Sequence, residues 1–338
     1  MADNIYYIIS TTEDSMKAIV FGKNRELVWT DVPDPVLKDG EVLIDIHAAA
    51  VNRADIMQRA GNYPPPAGCP EWPGLEVSGV IKEVRGKSQF KPGDEVCALL
   101  GGGGYAQMVA APAGQVIPVP KGLPLTDCAA LPEVYATSWL NLFIEGHLEA
   151  GQTAFIPAGA SGLASAAIPI AKAFGARVIT SVLTDKLAEA IKSLGADVII
   201  NSSREKTADV LKAQAEMGHP VNVAMDCLAG QDVGDCLPYM ARGGYWILLS
   251  VLAGPTANIS LWPLITCGAH LVGSTLRSRT PEMKSFILGE MVKNIWPKIG
   301  AGLIRPQIYR TIPIEEAEEA HRIMDDPGHI GKIVLKVK

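Results

Sequence analysis

The sequence predicts an α/β protein with two domains, one rich in β-strands and one built on a doubly wound parallel sheet. At 338 residues the chain is long for a single hydrophobic core, since domains usually hold roughly 100–200 residues. Strand-like segments separated by turns fill residues 16–130. Beyond them, short strands and helices alternate, which is typical of parallel βαβ units.

The β-rich part shows the alternation of apolar and polar side chains that marks half-buried strands. This alternation is clearest in residues 41–47. Strands of the same character are expected at residues 17–21, 77–84 and 95–100. Proline and glycine residues separate them, as in the turn at residues 91–94.

The second part, in which strands and helices alternate, begins with a helix predicted over residues 127–145. Strands are expected at residues 153–157, 177–182, 198–200, 221–226 and 245–250. Helices are expected between them, at residues 165–174, 185–194, 205–217 and 233–240. The remaining segments are expected to return to the first domain, as a helix over residues 282–300, a strand over 307–312, a helix over 314–324 and a strand over 333–337.

Composition and charge exclude several classes of protein. The formal net charge of −6 argues against a nucleic-acid-binding surface. The sequence contains no run of about 18 or more apolar residues, so no membrane span is predicted. The six cysteines are scattered without a CxxC pair, which favours free thiols over a disulfide framework. Residues 1–15 form a short extension without a basic leader, and we therefore expect a cytoplasmic protein.

A glycine-rich turn follows the strand predicted at residues 153–157. Compared with the dinucleotide-binding pattern GxGxxG, it keeps Gly159, has Ser161 at the second position and has Ala164 at the third. Small residues at these points allow a tight turn, a close approach of pyrophosphate to the helix N-terminus, and packing of helix on strand. The surrounding strand–turn–helix context favours a dinucleotide site over a plain βα turn.

The end of the next strand bears on the choice of cofactor. NAD sites usually place an acidic residue there to hold the ribose hydroxyls. Here the strand ends in Ser181-Val182, and the nearest acid, Asp185, is expected to cap or open the following helix. Lys186 beside it is able to meet a 2′-phosphate, although an exposed helix lysine would look the same. The pattern therefore favours NADPH over NADH.

The chain as a whole resembles the zinc-free, zeta-crystallin-like quinone oxidoreductases of the medium-chain dehydrogenase/reductase family. The resemblance covers nearly everything from Met16 onward and rests on residues 51–59, 61–66, 74–79, 91–96, 101–107, 131–133 and 328–334. It implies a GroES-like catalytic domain (residues 16–135 and 274–338) into which a Rossmann NADP(H)-binding domain (residues 136–273) is inserted. It also implies a homodimer, often formed by joining Rossmann sheets edge to edge.

The resemblance also indicates that zinc is absent. Zinc-dependent members bind the metal through a Cys, a His and a second Cys, but Asn52 and Leu75 stand at the positions of the first Cys and the His. Zinc needs about three or four N or S ligands, and neither HExxH nor a paired-cysteine pattern occurs. We therefore expect no metal site.

The family's functional residues carry over onto matching positions of this chain. Asn52 and Tyr63 would line the cleft beside the nicotinamide, and Thr137 would hold its amide. The remaining cofactor contacts would come from Ser161, Gly162 and Leu163 at the pyrophosphate, and from Ser250, Leu252, Leu276 and Arg277 beside the nicotinamide. Three positions depart from the family pattern: relatives often have Tyr where Ser202 stands, His where Pro157 stands and Gly where Ala164 stands.

Three functions remain open on the sequence alone. The first is an NADPH-dependent reductase that transfers hydride to a quinone without a metal, since the cofactor carries the reaction and the protein orients it. The second is an enone, 2-alkenal or enoyl-thioester reductase with the same hydride geometry. The third, from another class, is a dinucleotide-binding sensor or structural protein with little turnover, which the altered positions Ala164 and Ser202 would favour.

Overall fold

The structure, a computed structural model, describes residues 15–338 of the chain. The predicted N-terminal extension therefore lies outside the described residues, except for Ser15, which begins the first strand. Strands of the β-rich domain are β1 (Ser15–Phe21), β2 (Leu27–Pro33), β3 (Glu41–Ala50), β4 (Glu76–Val84), β5 (Glu95–Leu99), β6 (Met108–Pro112) and β7 (Val116–Pro118). The short helix α1 (Arg53–Arg59) follows β3.

Alternating strands and helices then build the second domain. Its strands are β8 (Thr153–Ile156), β9 (Arg177–Val182), β10 (Val198–Asn201), β11 (Val221–Asp226), β12 (Met240–Leu248) and β13 (His270–Gly273). The helices from here to the domain's end are α2 (Leu125–Cys128), α3 (Pro132–Trp139), α4 (Gly162–Ala173), α5 (Asp185–Ala190), α6 (Thr207–Glu216), α7 (Gln231–Cys236) and α8 (Trp262–Thr266). The chain closes with α9 (Pro281–Gly300), β14 (Ile308–Pro313), α10 (Ala317–Asp325) and β15 (Lys332–Lys336).

The parallel sheet has the strand order β10-β9-β8-β11-β12-β13 within the described chain. This is the dinucleotide-binding order 3-2-1-4-5-6, in which the direction of winding reverses between β8 and β11. Every residue of β8 is buried, as expected for a strand covered by helices on both faces. The predicted doubly wound sheet is confirmed.

The β-rich sheet combines the two ends of the chain. Its described strands follow the order β14-β15-β3-β4-β5-β7, and β6 also pairs with β3. The C-terminal strand β15 lies antiparallel to β3, so the chain returns to its first domain as the sequence predicts. The match between this sheet and the predicted GroES-like domain confirms the fold class. The exact domain limits at residues 135/136 and 273/274 stay predictions; the first falls inside α3.

The helix predicted over residues 127–145 is wrong as a single element. It is broken into α2, α3 and a π-helical segment over Leu140–Glu145. Pro132 begins α3 because proline has no N–H to donate to a preceding turn and its ring excludes a continuing helix. The predicted strand at residues 245–250 is longer at its start and ends at Leu248. The edge strand β13 is too short and too exposed to show a strand pattern in sequence.

A shared hydrophobic core joins the two domains. Buried side chains from α3 and α9 meet there, and Leu99 of β5 and Ile170 of α4 belong to the same cluster. The face of α9 that contributes Leu288, Met291 and Ile295 has an apolar residue every three or four positions. Packed elements of both domains therefore form the base of the cleft between them.

Candidate active site between the domains

The glycine-rich turn lies where the parallel sheet reverses its winding, between the carboxyl ends of β8 and β11. A Cβ atom on Gly159 would come within 2.5 Å of Thr180 Oγ1 on β9, so only glycine allows this approach. The neighbouring Ala158 has a φ of 56°, an unusual conformation for a residue with a side chain. The sequence-predicted turn is therefore held tightly against the second strand of the sheet.

Helix α4 begins directly after this turn. Ser161 caps it, and its hydroxyl accepts a hydrogen bond from Ala164 N at 3.1 Å. The first amides of a helix, here those of Gly162 and Leu163, have no partner within the helix and carry the positive end of its dipole. Ala164 is buried in the third position of the pattern. The residues predicted to meet pyrophosphate therefore lie together at the N-terminus of α4, a position that favours an anion.

The ends of β9 and β10 border the crevice on the side where the adenosine part of a dinucleotide is expected. Thr184 caps α5, and Asp185 opens the helix and is bound by Asn201 and Arg204. Lys186 is exposed, with no ion pair within the described residues. Ser202, at the end of β10, donates its hydroxyl hydrogen bond to the carbonyl of Val182, so the two strand ends are tied together. Arg204 is a cation that the sequence interpretation missed.

The opposite end of the crevice lies at the carboxyl ends of β12 and β13. Ser250 lines it together with Ser274 and Thr275, and Leu252 is half exposed at its rim. The hydroxyl of Ser274 is buried without a hydrogen-bond partner among residues 15–338, which leaves one polar group for a ligand. Thr137 is half-buried on α3, and its hydroxyl makes no hydrogen bond within the described part of the chain.

Arg277 spans the cleft from the segment after β13 to the β-rich domain. Its Nε and Nη2 donate to the carbonyl of Gly101 at 2.9 and 2.6 Å, and Nη2 also donates to Gln58 Oε1 at 2.7 Å. Nη1 donates to the carbonyl of Tyr63, and the guanidinium carbon lies 4.9 Å from the centre of the Tyr63 ring. Leu276 packs in the core between the domains. The predicted residues Tyr63 and Arg277 are therefore in contact.

Burial is the main cause that raises the pKa of Tyr63, and the Glu133 carboxyl raises it further. The phenol therefore keeps its proton at neutral pH and remains a hydrogen-bond donor.

A buried ion pair lies behind this cleft. Lys332 Nζ contacts Glu76 Oε1 at 2.7 Å, Asn52 Oδ1 at 2.7 Å and the carbonyl of Val51 at 2.8 Å. Asn52 Nδ2 donates to Glu76 Oε1 at 2.9 Å. The other Glu76 oxygen accepts a bond from Glu133 N at 2.8 Å and so holds the start of α3. The amide of Asn52, predicted to face the nicotinamide, is engaged in this network.

A second buried cluster adjoins the first and was not predicted from the sequence. Asp55 accepts hydrogen bonds from the backbone amides of Asn52 and Gly74 and from the hydroxyl of Tyr105. Burial raises the pKa of Asp55 to about 6, although the two amide bonds oppose the rise. His321 faces Tyr105, and burial lowers its pKa to about 4. Asp55 thereby holds the start of α1 to the segment at Gly74.

Within residues 15–338, no three His, Cys, Asp or Glu side chains are grouped so as to hold a metal ion. Asn52 and Leu75, which stand at the zinc-ligand positions of zinc-dependent relatives, are both buried. Among the helices described, none is long and apolar enough to cross a membrane. The predicted cytoplasmic location stays a prediction.

Comparison with known proteins agrees with this architecture. Residues 38–121 match the alcohol dehydrogenase GroES-like domain, and residues 162–291 match the zinc-binding dehydrogenase family. The quinone oxidoreductase of Sus scrofa is 30% identical over 312 residues, which cover 90% of this chain and 92% of that protein. The Mus musculus quinone oxidoreductase is 29% identical over 97% of this chain and 99% of its own length. These matches confirm the resemblance deduced from the sequence landmarks.

Among solved structures, the quinone oxidoreductase of Thermus thermophilus, determined also in complex with NADPH, superimposes with a TM-score of 0.80. It is 28% identical and covers 95% of this chain and all of that one (100%).

The buried ion pair generates a stability prediction. Lys332→Met leaves the Glu76 carboxylate, which is 0% exposed, without its cation. Removing one partner of such a pair is expected to lower the free energy of unfolding by about 3–5 kcal/mol. Replacing both partners, as Glu76→Gln with Lys332→Met, should lower it less, because no charge is then left buried. Urea unfolding of wild type and the two variants measures the difference.

Lys338→Met is the matched control, because its ion pair with Asp45 is half exposed and should contribute at most about 1 kcal/mol. Equal losses for Lys332→Met and Lys338→Met would contradict the importance of the buried pair.

Proposed function

Because the chain belongs to the quinone oxidoreductase group of the medium-chain dehydrogenase/reductase family, an oxidoreductase family, we propose that it is an NADPH-dependent reductase of quinones and related activated carbonyl or alkene acceptors. One observation carries the proposal: the contact between Arg277 and Tyr63 joins the segment after the sixth Rossmann strand to the β-rich domain. This contact supports a cleft that both domains line, in which we propose that the dinucleotide and the acceptor meet.

The residues of the crevice fit a dinucleotide. Gly159 lets the turn pack against Thr180 and Gly162 lets the start of α4 pack against the Lys332 stem, so both hold the turn in place. The amides at the start of a helix favour an anionic group such as pyrophosphate. When bound, a reduced nicotinamide supplies a hydride. We propose that the free hydroxyl of Thr137 binds the nicotinamide amide, and that Ser274, whose hydroxyl is also unpaired in the described chain, is a second partner.

Charge on the adenosine side supports NADPH. The only acid near the end of β9 in the described chain, Asp185, is already bound by Asn201 and Arg204 and is poorly placed to hold ribose hydroxyls. Lys186 and Arg204 present two cations where a 2′-phosphate would lie, and the Ser202 hydroxyl stands between the strand ends.

The acceptor side supports reduction without a metal. Asn52 and Leu75 replace two zinc ligands of the zinc-dependent relatives, and Asn52 is bound to Lys332 instead. A quinone or enal is already electrophilic, so the protein needs only to orient it and exclude water. Tyr63, held under the Arg277 guanidinium, would donate a hydrogen bond to the acceptor carbonyl.

The experiment that tests the proposal combines binding and turnover. NADPH and NADH are titrated by fluorescence, and NADPH oxidation is then followed with a panel of quinones, enals and an enoyl thioester. Tight NADPH binding with quinone turnover supports the proposal; turnover with enals or the thioester alone would favour the alternative reductase. Binding without turnover would favour the sensor hypothesis, and failure to bind either nucleotide would reject the reductase function.

Cofactor preference gives the first prediction of the proposed function. Arg204→Ala removes one cation and frees the Asp185 carboxylate at the same time. We expect NADPH affinity to fall by about tenfold, equivalent to ~1.4 kcal/mol, with NADH affinity unchanged or higher. Lys186→Ala should lower the affinity for NADPH and leave the affinity for NADH unchanged. Fluorescence titration of both nucleotides measures the ratio.

Lys212→Ala, which removes an exposed lysine on α6, is the control for this series. Parallel losses of NADPH and NADH affinity in Arg204→Ala would count against a 2′-phosphate site.

Assembly gives the second prediction. The sheet ends at β13, an edge strand with exposed residues, and an unpaired edge invites pairing with another chain. Leu271 on this strand and Trp262 and Ile265 on the preceding helix α8 are exposed by 36%, 68% and 73%. We propose that two chains join here as a homodimer. Trp262→Asp with Leu271→Lys should then produce monomers in sedimentation velocity.

Leu303→Asp, at a leucine that is 63% exposed and belongs to neither α8 nor β13, should leave the dimer intact. A wild-type protein that sediments as a monomer at micromolar concentration would refute the edge-to-edge dimer.

A further inference from the structure

Lys284, in the first turns of α9, is a buried cation without a partner. Its side chain belongs to a residue that is only 7% exposed. Within residues 15–338 its ammonium makes no hydrogen bond and has no carboxylate within 4.0 Å. A buried lysine is normally paired, because taking an ammonium out of water is costly. Burial accordingly lowers the pKa of Lys284. Such a group indicates a partner that the protein itself does not supply.

Glu133 lies across from it on α3, the helix that packs against α9. Its backbone amide is held by Glu76, which fixes the start of the helix. The carboxyl group is half-buried and accepts no hydrogen bond within the described chain. Lys284 and Glu133 act on each other electrostatically, yet they are too far apart for an ion pair. A gap therefore separates the Glu133 carboxyl, which can donate or accept a proton, from the Lys284 ammonium.

The surroundings place this gap in the cleft. The Lys284 ammonium interacts electrostatically with Cys69, whose sulfur lies against Gly101, and Gly101 is the residue that Arg277 binds. All partners that Arg277 contacts are carbonyl or amide oxygens, so its positive charge is also not balanced by a carboxylate. Two cations thus create a positive potential beside Tyr63, in a site of low dielectric where it acts strongly.

We propose that Lys284 binds the carbonyl oxygen of the acceptor and stabilises the negative charge that develops on it, and that Glu133 supplies the proton. The inference rests on the proposed function and specifies its substrate class: α,β-unsaturated carbonyl compounds, quinones included. It assigns to an ammonium group the role that a Lewis acid has in a metal-dependent enzyme.

The electron and proton balance is complete. The acceptor takes a hydride with its electron pair, which the reduced dinucleotide would supply. A new C–H bond forms at the β-carbon of an enal, or a new O–H bond forms at one carbonyl oxygen of a quinone while the other carbonyl oxygen faces Lys284. The displaced π electrons move to the carbonyl oxygen and give an enolate or a hydroquinone monoanion beside Lys284. The O–H bond of Glu133 then breaks, its proton passes to this anion, and the carboxylate regains a proton from water.

Glu133 is suited to this task at neutral pH. Burial, followed by the Glu76 carboxylate, raises the pKa of Glu133 to about 8. The proton is therefore present below pH 8 and is lost above it, so turnover should fall as the pH rises through that value. The charged and titratable groups that act on Glu133 are Glu76, Lys332, Asp55, Lys284, Tyr63 and Arg277.

The test compares Lys284→Met and Glu133→Gln with wild type, using a 2-alkenal and a benzoquinone as acceptors. Lys284→Met should lower kcat by about 10²–10³-fold, the usual effect of removing one donor to a developing oxyanion. Its NADPH affinity should be unchanged and its melting temperature equal or higher, because an unpaired buried charge is removed. Lys284→Arg should recover part of the rate.

Glu133→Gln should lower kcat by about 10²-fold or more and abolish the decline above pH 8, with a smaller solvent deuterium isotope effect. The matched controls are Lys293→Met, an exposed lysine on the same helix, and Glu216→Gln, an exposed glutamate on α6. Both controls should keep the wild-type rate and pH profile.

The outcomes separate the two levels of the proposal. A wild-type enzyme that is active, with both variants within about threefold of it and the pH profile unchanged, overturns the roles of Lys284 and Glu133 alone. A Lys284→Met variant that loses NADPH affinity in step with kcat assigns the lysine to dinucleotide binding and also overturns the proposal. A wild-type protein that reduces none of the acceptors rejects the proposed function together with it.

Discussion

The buried ammonium of Lys332 is the interaction on which the rest of the structure depends. It arrives on the last strand of the chain and binds Glu76, Asn52 and the carbonyl of Val51. Its aliphatic stem also packs beneath Gly162, at the start of the helix that forms the dinucleotide cradle. Since an unpaired charge in this position would be costly, all of these segments must be in place together. Folding of the C-terminal strand and formation of the cleft are therefore one event.

The two buried lysines differ in how their charges are compensated within the protein. Lys332 is fully paired, and its charge is used inside the protein. Lys284 is also buried, but its ammonium has no carboxylate within 4.0 Å in the described chain. A fold can tolerate one such uncompensated group only if the remaining core is sufficient, and the joint core of α3 and α9 surrounds it. Functional sites commonly contain groups that reduce stability in this way.

Secondary structure could be predicted from the sequence where it depends on residues that are close along the chain. The order of strands and helices, and the glycine-rich turn, follow from local pattern, and the doubly wound sheet follows from their alternation. The break at Pro132 was missed because an apolar helical pattern continues across it. Arg204, Glu133 and Lys284 were missed for a different reason. Each lies on an ordinary helix or turn, and only tertiary packing removes its partners or places it beside the cleft.

Cofactor preference shows how such a site can change without any change of fold. The tyrosine that relatives often have after the third strand is Ser202 here, and its hydroxyl is used to tie β10 to β9. Two residues further along, Arg204 holds Asp185, the acid that would otherwise face the ribose. Ser202 and Arg204 therefore act at the same turn. Both residues are exposed, so their identity does not alter the core, and the proposed preference for a 2′-phosphate is attributed to the charge of this turn.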